Sequence, residues 1–310
     1  MFDNKIFEKV STWMYRNSRP LELAIWKYNF EGESSNEVIK ALSSYENADG
    51  GFGHGLEADC LNPESSPMQT WAATDILFDL QDVSSECRIV SDILTYLENC
   101  PYFIENKWSG TIPSNDRFPH AGWWSYSEEM LKSWNWNPSA ALAGFVLLYG
   151  NRESKVYKIA ESVAVEAYNW FVSQEKMESM HETFCFMRLL EYCKRANLTT
   201  LFDLESFEVH LKKQISLLIE KNIDIWQSEY VCKPSFFITS KDSAMYEEKK
   251  KLLDAEIDFI VNTIGDDGVW EPSWKWESYP NEWVVSKVWW KANIAIKNVK
   301  FLKEMCIGRK

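Results

Sequence analysis

Two kinds of helical segment alternate along this chain, and that alternation restricts its fold more than any other feature. In "SKVYKIAESVAVEAYNWFVSQ", residues 154–174, apolar side chains recur at Val156, Ile159, Val163, Ala167 and Trp170. Spacings of three and four place them on one stripe of a helix, opposite a charged face. Similar stripes run through 3–17, 35–47, 84–99, 204–222 and 246–264. Between them lie 20–30, 67–80, 137–149, 178–195, a weaker segment near 229–240, and 281–305. Several of these are apolar nearly all round, as in "SAALAGFVLLY". An amphipathic helix suits an outer layer and an all-apolar one an inner layer. Six of each in strict alternation predict an all-α fold, an (α/α)6 barrel or toroid. No stretch of Pro, Gly and Ser composition interrupts the pattern, so residues 1–310 read as a single toroid domain.

Local signals agree with these boundaries. Ser34 with Glu37 forms a capping-box pattern, and Ser66-Pro67-Met68-Gln69 forms another with proline at the first helical position. Asn137-Pro138 predicts the same kind of start for the third inner helix. Composition then narrows the function. A formal charge of −13 excludes a general electrostatic grip on nucleic acid or anionic lipid. The amino terminus lacks the apolar core of a signal peptide, and no apolar run reaches the length of a membrane span. Seven scattered cysteines without a C-x-x-C pair predict reduced thiols in a cytoplasmic protein.

The chain has 12 glycines, and four of them fall between Gly50 and Gly55, in "ADGGFGHGLEAD". The preceding context, "LSSYENADGGFG" at 42–53, has a counterpart in "FIVNTIGDDGVW" at 259–270. In both, an outer helix ends in an Asp-Gly turn followed by an aromatic residue. A third, degenerate copy is "ENKWSG" at 105–110. Glycine past a helix end takes the left-handed conformation cheaply, and the aromatic can fold back on the helix. Asp49 to Gly53 are therefore read as a turn. A P-loop would need a Gly-Lys-Ser/Thr ending after a strand, which is absent.

These repeats resemble the QW-type repeats of terpenoid cyclases and protein prenyltransferases. "GGFGHGLEAD" and "PHAGWW…NPSA" also resemble segments of bacterial proteins loosely described as prenyltransferase-like. The resemblance implies an α/α toroid built from helix pairs, and an enzyme acting on a hydrophobic small molecule. The family's reactive motifs are not carried over. D-x-D-D and D-D-x-x-D do not occur, and Asp59-Cys60 departs from the Asp-x-Cys spacing of a prenyltransferase zinc site.

Loops running from an outer to an inner helix would ring one end of a toroid. Three of them are long: 54–66, 108–136 and 271–280. The last two, with their flanks, hold eleven of the sixteen tryptophans. Long aromatic loops are costly to order without a task. Glu57, Asp59 and His120 are the candidate catalytic residues, because carboxylates beside large rings can be held protonated and histidine titrates near neutrality. His54, Trp123, Trp124, Trp274, Trp276 and Glu277 are the candidate ligand-binding residues. The alternative role for Glu57 and Asp59 is helix capping, and for His120 a hydrogen bond within its loop.

Three functions stay open on this reading. An isoprenoid would use the rings to stabilise a developing cation. A saccharide would stack on a ring between paired carboxylates, in a cytoplasmic carbohydrate-active enzyme. A non-catalytic scaffold would hold a ligand or peptide at the aromatic mouth. No motif specifies a cofactor or a metal, and the one donor set with zinc chemistry is His54, Asp59 and His120.

Overall fold

The computed structural model describes residues 4–306. Its helices, in chain order, are α1 (Asn4–Asn17), α2 (Pro20–Glu31), α3 (Ser35–Leu42), α4 (Pro67–Phe78), α5 (Arg88–Asn99), α6 (Glu128–Trp134), α7 (Ser139–Tyr149), α8 (Lys155–Ser173), α9 (Met180–Arg195), α10 (Leu204–Leu218), α11 (Tyr246–Asn262) and α12 (Pro280–Cys306). Among the described residues the strands amount to one two-stranded hairpin, Phe103–Ile104 with Lys107–Trp108. The chain is all-α.

Eleven of the twelve expected segments are α-helices. The first residue of the first, Asp3, lies outside the described residues. The segment near 229–240 is not an α-helix and holds only a 3-10 turn at Pro234–Phe236. Pro234 lacks an amide hydrogen, and its ring opposes a helical conformation at Lys233. An unexpected short helix, α6, occupies the loop before α7. Ser127 caps it by accepting from the Met130 amide.

The chain divides into two compact units. One comprises residues 42–218; the other joins 1–41 to 219–310. Within 42–218, α4, α7 and α9 pack on one another in chain order; α4 and α7 are apolar nearly all round, whereas α9 carries a charged face with Arg188 and Glu191. The amphipathic helices α5, α8 and α10 form a second layer, with α8 against α7 and α10 against α9. α7 has no polar face, and nine of its eleven residues are buried. Within the other unit, the long helix α12 packs on α1, α2 and α11.

The starts of α4 and α7 depart from their expected caps in instructive ways. Ser66 does cap α4, its hydroxyl accepting from the Gln69 amide at 3.1 Å. The Gln69 side chain does not return the bond; it donates instead to the Asn62 carbonyl at 2.9 Å. Asn137 is no cap at all, since α7 begins after Pro138. Its side chain accepts from the buried Cys185 thiol at 3.2 Å.

The Asp-Gly turns share one geometry. At the first, the Asn47 amide donates to the Gly51 carbonyl (2.8 Å) and Gly50 to the Asn47 carbonyl (2.9 Å). At the second, Gly265 donates to Val269 (2.8 Å) and Gly268 to Gly265 (2.9 Å). Gly50 and Gly268 hold φ of 83° and 94°, where L side chains are strained. Two tryptophans of the repeats fold back on the helix before them. Trp270 Nε1 donates to the Ile260 carbonyl of α11 at 2.8 Å, and Trp108 Nε1 to the Leu97 carbonyl of α5 at 3.1 Å. The degenerate third copy therefore repeats the tether, though not the turn. A Cβ on Gly50 would stand 2.1 Å from the Asp92 carbonyl oxygen, so packing as well as φ requires glycine there.

Candidate functional site

The two long loops of the 42–218 unit meet. The Ala121 amide donates to the Asp59 carbonyl at 2.9 Å, and the Leu61 amide to the Pro119 carbonyl at 2.9 Å. Cys60 and His120 pair between these bonds as an antiparallel bridge. Behind the bridge, buried Asn62 donates to Ser114 Oγ (2.8 Å) and Asn115 Oδ1 (2.9 Å). Asn115 in turn donates to the Trp124 carbonyl at 3.0 Å. Polar side chains thus stand in for a strand ladder, Asn62 reaching across to the other loop and Asn115 passing the network on within its own.

The expected residues occupy distinct places on this frame. His54 is exposed, at φ 59°, with Nε2 2.9 Å from Asn47 Oδ1. Glu57 Oε1 accepts from the Asp59 amide at 3.3 Å, and Asp59 is buried. His120 is buried between the Phe118 carbonyl and Ser125 Oγ. Trp123 is 37% exposed, whereas Trp124 is buried and stacks on Trp134 with centroids 4.7 Å apart and planes at 10°. Gly110 admits that stack, because a Cβ there would meet Trp134 Cγ at 2.4 Å.

Trp274, Trp276 and Glu277 belong to the other unit. Trp274 packs edge-on against Tyr230 and Trp290, Trp276 is buried beside Trp283, and Glu277 is exposed. Nearby, Lys291 is buried and pairs with Asp267 and Glu271 at 2.5 and 2.7 Å. Burial alone would raise these two carboxyls, but the Lys291 hydrogen bonds and charge prevail and hold both below the usual range. The aspartate of the second repeat turn is thereby an anchor for α12.

Strap-like contacts continue along the aromatic loop. Glu182, in the first turn of α9, accepts from Asn135 Nδ2 (2.9 Å) and the Trp136 amide (3.1 Å). Burial raises its pKa, and those two donors oppose the rise. Lys107 lies 4.3 Å from the Trp136 ring centroid and donates to Asn135 Oδ1 at 2.8 Å.

The inner helices carry a charged cluster that periodicity did not single out. Arg188 on α9 is 9% exposed. Its Nε meets Asp75 Oδ1 of α4 at 2.7 Å, its Nη1 meets Glu191 at 2.7 Å, and Asp79 stands 3.7 Å away. The guanidinium also lies over Phe78 and Phe184, at 4.0 and 4.7 Å. Burial pulls its pKa down, but the three carboxylates outweigh burial and push it up. Trp71 meets Phe184 edge-on at 6.4 Å, completing a half-buried face of rings and carboxylates on α4 and α9. The signal in the sequence was a lone Asp in "MQTWAATDILF" and a lone Arg in "MHETFCFMRLLEY".

Comparison with protein-family models, curated proteins and solved structures finds no match. The site therefore rests on its own geometry. Among the described residues no group of three or more His, Cys, Asp or Glu is placed to hold a metal ion. All seven cysteines are free thiols, and among the described residues no helix is long and apolar enough to cross a membrane. A surface hollow of about 380 Å³ is lined by Glu46, Asn47, Asp49, Arg88 and Asp92 among others, and reaches the candidate residues only through Asn47, the partner of His54.

Proposed function

We propose that this chain is a small-molecule enzyme of α/α toroid architecture, and that its ligand is a neutral saccharide recognised at the α4–α9 face. The two-layer packing of α4, α7 and α9 inside α5, α8 and α10 supports the architecture. The observation that carries the ligand class is the meeting of Trp71 and Phe184 with Asp75, Asp79, Glu191 and Arg188. A sugar presents C–H faces to rings and hydroxyls to carboxylates, and this face offers both side by side. Asp75 and Glu191 bond different nitrogens of one guanidinium, which limits those carboxylate oxygens to a separation of roughly 8 Å. The indole N–H of Trp71 is buried without a protein acceptor.

A second reading keeps the isoprenoid class implied by the resemblance to terpenoid cyclases and protein prenyltransferases. It is favoured by exposed Trp123 beside the Trp124–Trp134 stack. With Glu57, Asp59 and Asp116 in the two loops, this reading takes a neutral terpenoid and not a diphosphate, because like charges repel an anionic headgroup.

Saturation-transfer NMR with short neutral oligosaccharides and with terpenoid alcohols separates the two readings. Oligosaccharide signals that weaken at least tenfold in Trp71→Ala and Asp75→Asn, with helical circular dichroism retained, are the expected result. Terpenoid binding that survives those changes and disappears in Trp123→Ala would establish the second reading instead.

A further inference from the structure

We propose that Ser125 and His120 form a nucleophile–base pair that hydrolyses a small neutral ester. The proposal is independent of the ligand reading above and rests on how the imidazole is held. His120 Nδ1 lies 2.7 Å from the Phe118 carbonyl oxygen. A carbonyl only accepts, so in the neutral ring Nδ1 carries the hydrogen. Nε2 then presents its lone pair, and it lies 2.9 Å from Ser125 Oγ. The seryl hydroxyl must therefore donate to it. This is the hydrogen-bond order of a serine hydrolase, with a backbone carbonyl where the orienting carboxylate usually stands.

The surroundings fit the charge that develops. When Nε2 takes the seryl proton, the imidazolium gains the carboxylate of Asp116, whose Oδ1 is 3.8 Å away. Asp116 is itself fixed by the Tyr126 amide at 2.9 Å. His120 is pinned through its backbone by the Asp59–Ala121 and Leu61–Pro119 bonds on either side. Ser125 is held through its amide to the Gly122 carbonyl (3.3 Å) and through its own carbonyl, which accepts from Thr111 Oγ1 (3.3 Å). A pair whose members are fixed by separate contacts is preorganised for proton transfer.

Exposed positions flank the pair. Ser125 is half-buried, Gly122 in the same turn is exposed, and a Cβ added to Gly122 would meet nothing within 4 Å. Trp123 offers a partly exposed ring for an apolar acyl group. Asp116, Glu128 and Glu129 are exposed close by in sequence, so a neutral substrate is favoured over an anionic one. In the reaction, Oγ bonds to the ester carbonyl carbon while its proton passes to Nε2. The carbon–alkoxy bond breaks, and the leaving alkoxide takes that proton as an alcohol. Water then attacks the acyl-serine, gives a proton to Nε2, and the acid departs as Oγ regains it. No oxidant or metal enters the balance.

The whole chain is tested with p-nitrophenyl butyrate and with a fluorophosphonate probe. Mass spectrometry should place one phosphonyl group per chain on Ser125, with ester hydrolysis lost in parallel. Ser125→Ala should abolish both, His120→Gln should slow labelling about a hundredfold or more, and Ser133→Ala should change neither. His120 is buried, so a second variant guards against misfolding. In Ser125→Cys, iodoacetamide alkylation at that position should stay fast at pH 6, because the imidazolium stabilises the thiolate. An ordinary thiol slows roughly a hundredfold between pH 8 and pH 6. Labelling elsewhere or nowhere, labelling unchanged in His120→Gln, or an ordinary thiol profile in Ser125→Cys would overturn the proposal.

Discussion

The carboxylate of Glu256 on α11 is 1% exposed and accepts from the Ser235 amide at 2.7 Å and the Ser235 hydroxyl at 2.5 Å. Burial pushes its pKa up to about 7, against the Ser235 bonds and the nearby Lys233 charge, which lower it. Burial likewise pulls the Lys233 ammonium down. A carboxyl raised in the folded state stabilises fully below its unfolded pKa, near 4.5, and loses that contribution as pH rises through about 7. At about 1.4 kcal/mol per pH unit, the stability advantage of the parent over Glu256→Gln should shrink by about 3 kcal/mol between pH 4.5 and pH 8. Denaturant unfolding of both proteins across that range measures the difference directly. A constant difference would mean that Glu256 stays ionised when buried. The glycine cluster has a steric origin. Gly50, Gly51 and Gly53 sit where a Cβ would meet Asp92, Tyr96 and Pro63 at 2.1, 2.6 and 2.2 Å, so they are packing requirements of a turn.

At the scale of elements, the recurring device is a tryptophan that ties a loop back to the helix before it. Trp108 and Trp270 do so in different units, with hydrogen bonds to Leu97 and Ile260. Both acceptors lie near the ends of their helices, where carbonyls lack an intrahelical partner. Replacing either tryptophan with phenylalanine keeps most of the apolar body but orphans a buried carbonyl. Each change should therefore cost about 1–2 kcal/mol, read as a lower denaturant midpoint with an unchanged slope. A midpoint unaffected by Trp270→Phe would show that the ring is held by packing and not by its N–H. The same two-part logic explains α6. Its Ser127 cap and first-turn Glu128 and Glu129 start a helix, but at seven residues it is too short to announce itself by periodicity.

The whole molecule carries 46 acidic against 33 basic side chains. Several of the basic groups are committed to local networks, as with Arg188 and Lys291. Self-repulsion of the remaining negative charge opposes the compact state and is screened by salt, whose Debye length falls from about 20–30 Å at 10–20 mM to about 8 Å at physiological strength. The thermal midpoint should consequently rise by a few degrees when sodium chloride increases from about 20 to 200 mM. A falling midpoint would show that attractive surface pairs, such as Arg117–Glu64, outweigh the net repulsion.

Helical class, the places of eleven helices and the turn role of Asp49 to Gly53 were legible in the sequence. Each depends on neighbours within about ten residues: stripe spacing, a Ser-Pro start, a glycine after a helix. Connectivity suggested that the 54–66 and 108–136 loops lie at the same end of their helices, and the bridge at Cys60 and His120 joins the two. Tertiary structure alone decided the rest. The 229–240 segment, denied an α-helix by Pro234, is held in place from outside by the Ser235 bonds to Glu256 of α11. Asn137 traded a capping role for the Cys185 thiol, 48 residues away. Arg188 found Asp75 across 113 residues. His120 found its proton donor only five positions on, but the carbonyl that sets its tautomer depends on a turn that no local propensity specifies. Local backbone and hydrophobic preferences are written into short windows of sequence, whereas the pairing of charges and hydrogen-bonding groups depends on which distant surfaces packing brings within 3 Å.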